Sequence, residues 1–309
     1  MTFVLSCITS DAVFQVVDRK IFKDDGGSYS DLDSDANKAV FVDGRFSFGY
    51  SGLAEISGQS TDSWLQERLA EADDRTALNI LEHLRCEASK TFKTIRKLSS
   101  SQRRIAFETV FWATSEDQPK KIKPGQYVPS IAVVENALDD SFNWQKTARP
   151  EFALRASMIL LESKKDIHIS SIGCPLSTPE KGAIMKHIGR AVRKKNAPPS
   201  LTMVRMFEAV DWLRRRGKLV GGGMVGTYIP KTAVAKYEQT DSFHAMYSMP
   251  KRDVVCFFDV QEKPTATGHR SPLIVMGKSK VQGASGGRGF KDQICLGKRG
   301  HETGETGVR

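Results

Sequence analysis

Residues 2–18 read TFVLSCITSDAVFQVVD, two short apolar runs on either side of the polar triplet Thr9-Ser10-Asp11. Runs of this length, rich in Val, Phe and Ile and separated by turn-forming residues, predict two strands joined by a tight hairpin. Two polar positions frame that hairpin: Thr2 opens the first strand, and Asp18 closes the second sixteen residues later. Met1 is followed by a small residue, a context in which the initiator is removed, so Thr2 is expected to become the mature N-terminus.

Working outward, GGSYSDLDSDAN (26–37) has turn chemistry throughout and reads as a polar loop. KAVFVDGRFSFGYSGLAEI (38–56) predicts a second hairpin turning at Asp43-Gly44, so the first fifty residues read as four strands and no helix. The period then changes. Residues 60–72 and 75–97 place apolar side chains at three- and four-residue spacing, as amphipathic helices do. Strands return at RIAFETVFWAT (104–114), PSIAVVEN (129–136), EFALRASMILLE (151–162) and DIHISSIG (166–173). A second helix pair follows at about 178–195 and 200–216, the first opening on Ser177-Thr-Pro-Glu180 with capping-box spacing. KLVGGGMVGTYIPK (218–231) and DVVCFFDVQE (253–262) complete the pattern as strands. Strands, two helices, strands, two helices, strands is the order expected of an α+β protein in which two sheets are each covered by a helix pair, a four-layer αββα sandwich.

Composition narrows the classes. The chain has 309 residues, of which 39% are hydrophobic and 27% charged, and a net charge of +10. That is a globular composition without an apolar run long enough to cross a membrane. No signal-peptide layout opens the chain. Five scattered cysteines with no CxxC pair, and six dispersed histidines, fit a reducing cytoplasm and give no metal-ligand spacing. No cofactor is implied. Residues 263–309 carry nine Lys/Arg against three Asp/Glu, a net +6, and are Gly-rich without apolar periodicity. They read as a mobile basic tail behind a 1–262 domain, a solvated terminus or a contact for nucleic acid or an acidic partner.

Thr2, Asp18, Lys38 and the Ser51-Gly52 turn together resemble the N-terminal-nucleophile hydrolases, and more narrowly the proteasome β-subunits and the peptidase subunit of the bacterial two-component ATP-dependent protease. In that family a mature N-terminal Thr is followed by an Asp at the end of the second strand, a Lys before the third, and a small-Gly turn that supplies an oxyanion-hole amide. Lys38 stands four residues late relative to Asp18, an offset that the polar loop absorbs. HISSIGCPL (168–176) and KLVGGGMVGTYIPK resemble the family's later Gly-containing strands. The resemblance spans roughly 2–235 and is specific over 2–55. It implies a threonine peptidase or amidohydrolase acting on peptide or amide bonds without cofactor or metal, assembled as a homo-oligomeric ring with an unfoldase ATPase partner. The chemistry it implies is coherent. A threonine hydroxyl needs an adjacent base, and its own α-amine can serve once a neighbouring cation keeps that amine neutral. Lys38 would be that cation, Asp18 would hold it, and the Gly52 amide would donate to the oxyanion.

Two accessory positions depart from the family pattern. Gly173 is followed by Cys174-Pro175 where the family has a serine, and Lys218 and Gly221 stand near the places of its late Asp and Ser. With Ser51 and Cys174 as the accessory candidates, the alternative is a catalytically silent scaffold or binding protein of the same fold, with a nucleic-acid-contacting tail. GKLVGGGMVG (217–226) precedes a strand and lacks the Lys-Ser/Thr of a phosphate loop. Cys7 and Cys174 have no local base, and His168 sits in an alternating strand, where packing accounts for it. Arg214–Arg216 end a helix, where cations offset the dipole; that face is either solvated or a groove for an acidic partner.

Overall fold

The computed structural model describes residues 3–18, 21–24, 29–33, 38–42, 45–72, 76–95, 104–138, 145, 147–195, 197–221, 223–232, 242–249, 254–261, 273–276, 280–282 and 291–296. Segments 21–24, 29–33, residue 41 and everything past 241 are described by their backbone alone.

The first hairpin is present as β1 (Val4–Ile8) and β2 (Ala12–Asp18). The Thr9 side chain closes its turn, accepting from the Ala12 amide at 3.0 Å and donating to the Ala12 carbonyl at 2.8 Å. Every residue of both strands is buried, so the pleat separates two packed faces rather than a wet one and a dry one. Phe3, Leu5, Cys7, Phe14 and Val16 join one apolar cluster, whereas Val4, Ile8, Val13 and Val17 join another.

Two short strands, β3 (Ile21–Asp24) and β4 (Tyr29–Asp33), pair with each other, and β4 falls inside the stretch expected as a polar loop, which corrects that reading. The pairing is local and made by the backbone, so polar side chains do not exclude it. Next come β5 (Ala39–Val42) and β6 (Phe46–Gly52), paired as expected; Asp43-Gly44 between them lies outside the described residues. A small β7 (Glu55–Ile56) and β8 (Gln59–Ser60) lead into α1 (Thr61–Ala70) and α2 (Ala77–Thr94). Then follow β9 (Ile105–Ala113), β10 (Val128–Glu135), β11 (Ala153–Met158), β12 (His168–Ile172), α3 (Thr178–Val192), α4 (Pro199–Arg215) and β13 (Met224–Pro230). Beyond them are β14 (Ser242–Met249), which the sequence reading passed over, and β15 (Val254–Gln261). Within 263–309 three backbone strands occur: β16 (Leu273–Met276), β17 (Lys280–Gln282) and β18 (Lys291–Leu296).

Fourteen of the described strands form two seven-stranded sheets, ordered β12-β1-β2-β13-β14-β15-β18 and β11-β10-β9-β6-β5-β16-β17, while β3-β4 and β7-β8 pair separately. One core cluster packs Trp64, Leu65, Leu81, Leu84 and Phe92 of α1 and α2 on Phe46, Phe48 and Phe107 of the second sheet. Another packs Ile184, Ile188, Met203, Phe207 and Leu213 of α3 and α4 on the first sheet. Gly226 of β13 is required there, because a Cβ would lie 2.5 Å from Met203 Sδ and 2.7 Å from Phe207 Cζ. A third cluster draws on both sheets, joining Val13, Val17, Val225 and Ile229 to Val110, Trp112 and Ile131. The Trp112 indole donates across it to the Ile229 carbonyl at 2.9 Å.

The stretch between β9 and β10 has a definite task. Asp117 accepts from both Arg45 (2.6 Å) and the Ala77 amide (2.5 Å), placing an anion at the N-terminus of α2.

Candidate functional site

Phe3, the first described residue, is fully buried, and its carbonyl accepts from the Asp18 amide at 3.0 Å. The hairpin register therefore carries the start of β1 to the end of β2, where Asp18 stands. Thr2 lies outside the described residues.

Asp18 and Lys38 meet. Lys38 Nζ donates to Asp18 Oδ1 at 3.0 Å, with the two side chains 1% and 0% exposed. The other carboxylate oxygen accepts from the Gly221 amide at 2.8 Å. Taking a carboxylate and an ammonium out of water costs several kcal/mol per ion, and only good geometry with further hydrogen bonds offsets it. Here each Asp18 oxygen has a donor. Lys38 immediately precedes β5, and the pairing of Ala39 with Gly49 sets the C-terminal end of β6 beside it.

That end carries Ser51, buried, and Gly52, exposed with φ 123°. At Gly52 the φ and the space both demand glycine: a Cβ would lie 2.1 Å from the Arg104 carbonyl oxygen. The packing of β9 is thus a sufficient structural reason for this residue.

Cys174 follows Gly173 past the end of β12 and is buried. Burial pushes its thiol upward; the ammonium of Lys218 acts against this, and the carboxylates of Glu180 and Asp18 add to it. Cys174 therefore shares the electrostatic surroundings of Asp18, as a neutral thiol. Lys218 Nζ donates to the Pro175 carbonyl at 3.1 Å and pairs with Glu180 at 3.2 Å, fastening the segment after α4 to the start of α3. The capping box at that start is formed as expected: Ser177 Oγ accepts from the Glu180 amide at 3.4 Å, and Glu180 accepts from the Ser177 amide at 2.7 Å. Cys7 is fully buried with its thiol pushed up to about 12 by desolvation, which removes it as a nucleophile. His168 is half-buried, its pKa lowered by desolvation, and it pairs with Ile8 across the sheet. Among the described residues no group of three or more His, Cys, Asp or Glu could hold a metal ion, and no helix is long and apolar enough to cross a membrane.

Two features escaped the sequence reading. One is the Gly221 amide on Asp18, a backbone donor that no side-chain pattern reveals. The other is a polar network between the sheets. Glu108 of β9, fully buried, accepts from Ser6 Oγ at 2.6 Å and Ser170 Oγ at 2.7 Å. Gln15 donates to the Ser6 hydroxyl and to the Glu108 carbonyl, and Ser47 bonds both Gln15 and Thr227. Desolvation pushes the Glu108 carboxyl up to about 7, against the lowering effect of the two hydroxyls. The available signal was a single Glu inside the apolar run IAFETVFWA.

No family model matches the chain, and no curated protein matches it. Among solved structures it is similar to the Anbu (Gly-1) mutant from Hyphomicrobium sp. strain MC1. The likeness has 11% identity and a TM-score of 0.40, over 74% of this chain and 80% of that one.

Proposed function

We propose that the protein is a threonine-type N-terminal-nucleophile hydrolase of peptide or amide bonds, built as a proteasome-like four-layer αββα sandwich over residues 1–262 with a basic extension at 263–309. The observation that carries this reading is the buried Asp18–Lys38 pair at the end of the β1–β2 hairpin, where the Asp18 amide donates to the carbonyl of Phe3. Thr2 is joined to Phe3 by one peptide bond, which holds their Cα atoms about 3.8 Å apart.

In this mechanism removal of Met1 frees the Thr2 amine. The charge of Lys38, held by Asp18, disfavours protonation of that amine, whose ordinary pKa is near 8. The neutral amine takes the proton of the Thr2 hydroxyl as its oxygen attacks the substrate carbonyl. The tetrahedral oxyanion accepts from the Gly52 amide, an interaction typically worth about 3 kcal/mol. Collapse expels the amine half of the substrate with the proton, leaving an acyl ester on Thr2 that water then hydrolyses. Ser51 and Cys174 are accessory. In the same reading the protein works in the cytoplasm as a homo-oligomer, with an unfoldase ATPase as the partner that would deliver polypeptide.

The second reading is a catalytically silent scaffold or binding protein of this fold. It is favoured by Gly52, which the Arg104 carbonyl explains without catalysis, and by a thiol and a backbone amide in the places of the expected hydroxyls and carboxylate. Treatment of the full-length protein with a β-lactone, followed by intact-mass analysis, separates the two. The hydrolase reading expects a retained Thr2, loss of Met1 and one covalent adduct that Thr2→Ala abolishes. Retention of Met1, or an adduct that survives Thr2→Ala, leaves the scaffold.

A further inference from the structure

Outside the basic 263–309 segment, the positive charge of this chain is concentrated in one helix pair. From Thr178 to Lys218 the sequence carries eleven Lys/Arg and three Asp/Glu, a net +8. The other pair, from Thr61 to Ile95, carries five against seven, a net −2. Both pairs have a buried face on a sheet, so this difference belongs to their outer faces.

On the outer side of the basic pair lies a groove of about 460 Å³. Its walls are helical stripes at i, i+4, i+7 spacing: Ala183, His187 and Arg190 on α3, and Glu208, Trp212 and Arg215 on α4. Lys186 stands beside the first stripe, and Ala209 lies between the helices.

The charges within the groove are already sorted. Glu208, its single carboxylate, accepts from Arg205 at 2.6 Å, which neutralises it, and contacts His187 Nε2 at 2.9 Å. Lys186 and Arg190, one turn apart and exposed, have no ion-pair partner among the described residues. Arg215 pairs with Asp211 at 3.0 Å on the exposed edge. The floor between these cations is apolar. Cations flanking a small apolar floor complement a ligand of the opposite pattern: carboxylates on either side of one apolar side chain.

We propose that the groove between α3 and α4 is a docking site for an acidic peptide segment. One apolar side chain sits against Ala183, Ala209 and Trp212, and flanking carboxylates bind Lys186, Arg190 and Arg215. This does not depend on the hydrolase reading, because the groove lies on the helices and uses none of the residues around Asp18. A peptide fits better than a nucleic acid for two reasons. The volume suits a few side chains rather than a continuous polyanion. One face of Trp212 is covered by the Arg216 guanidinium, 4.9 Å from the ring centroid, which leaves at most one face on which an unpaired base could stack.

The test is fluorescence anisotropy with the full-length protein and three labelled probes: a short Glu/Asp peptide with a single central Leu, the same peptide with Ser for Leu, and a single-stranded oligonucleotide of equal charge. The Leu peptide is expected to bind saturably, and the Ser peptide about tenfold more weakly, because burying one leucine contributes on that order. The double variant Lys186→Glu/Arg190→Glu is expected to weaken binding about tenfold or more, with the difference shrinking as salt rises. Ala183 is exposed, so Ala183→Trp fills the floor without altering charge or core, and it too should block the Leu peptide. Circular dichroism checks that each variant is folded. Absence of saturable binding, equal affinity for the Leu and Ser peptides, binding untouched by either variant, or tighter binding of the oligonucleotide would each overturn the proposal.

Discussion

Asp18 and Glu108 are both fully buried carboxylates, and they are held in opposite ways. Asp18 has a cation on one oxygen and a backbone amide on the other. Glu108 has a serine hydroxyl on each oxygen, and no cation contacts its carboxylate among the described residues. The first arrangement pairs a carboxylate with a cation at the end of an interior strand; the second suits a carboxyl that can shed its charge in the layer between the sheets. Replacing a buried ion pair by apolar groups of similar volume is often neutral or stabilising. An ion pair kept at the end of the first hairpin is thus poorly explained by stability, and a functional task such as the one proposed for Lys38 explains it better. The Glu108 network has an architectural explanation: Glu108 and Ser47 belong to one sheet, and Ser6, Gln15, Ser170 and Thr227 to the other.

The largest expected effect breaks the first arrangement. Lys38→Met leaves the Asp18 carboxylate buried without its cation and is expected to cost about 3–5 kcal/mol in urea-induced unfolding at neutral pH. The double variant Lys38→Met/Asp18→Leu removes both charges and should recover part of that loss, the Gly221 amide being left without its acceptor, while remaining unlabelled by the β-lactone. If Lys38→Met unfolds with the wild-type midpoint, Asp18 is not sustained by its cation and the contrast with Glu108 disappears.

The next effect probes the second arrangement through pH. The Glu108 carboxyl stands at about 7 in the folded chain against an ordinary value of 4.5. Below 4.5 both folded and unfolded chains hold the proton, and the stabilising contribution is fully present. As pH rises, the unfolded chain releases its proton first, so stability falls until the folded carboxyl also ionises near 7. A shift of this size corresponds to roughly 3 kcal/mol. The groups facing Glu108 are the Ser6 and Ser170 hydroxyls and Gln15, with Glu135 on the neighbouring strand acting as a like charge that raises it further. Glu108→Gln keeps the shape and cannot titrate, so the decline between pH 4.5 and 7 should flatten in that variant. A wild-type decline that survives unchanged in Glu108→Gln would falsify the assignment.

The two arrangements were unequally legible in the sequence. The hairpin, both helix pairs and the Ser177–Glu180 cap depend on local spacing, and the structure has them close to where spacing puts them. Asp18 and Lys38 were picked out by resemblance to a motif, since neither strand periodicity nor composition singles out a residue at the end of a strand. Their second partner, the Gly221 amide, is 203 residues from Asp18 in sequence and carries no side-chain signature. Ser6, Ser170 and Ser47 look like the polar half of ordinary strands; only the sheet-to-sheet packing turns Ser6 and Ser170 onto Glu108 and Ser47 onto Gln15 and Thr227. The β3–β4 hairpin was hidden because its polar residues show no alternation, while its pairing is made by the backbone. The groove was half visible. Arg214–Arg216 marked the basic end of α4, but the opposing stripe on α3 appears only once the helices are side by side.

The smallest effect sharpens the comparison by repeating its chemistry at the surface. Lys218 pairs with Glu180 at 3.2 Å, nearly the 3.0 Å of Lys38 with Asp18, yet its side chain is 29% exposed rather than 1%. Water solvates both charges of the outer pair, and Glu180 keeps its Ser177 hydrogen bonds when the lysine is lost. Its carboxyl is held below the usual carboxylate range first by the Ser177 amide and hydroxyl, and only then by Lys218. Lys218→Met should therefore unfold within about 0.2 M urea of the wild type, since exposed pairs contribute little. The same substitution at two lysines with nearly equal ion-pair distances thus predicts a large loss at one and almost none at the other. Equal losses would mean that Lys218 acts through its bond to the Pro175 carbonyl on the loop that carries Cys174, and that the Asp18 surroundings extend to the surface.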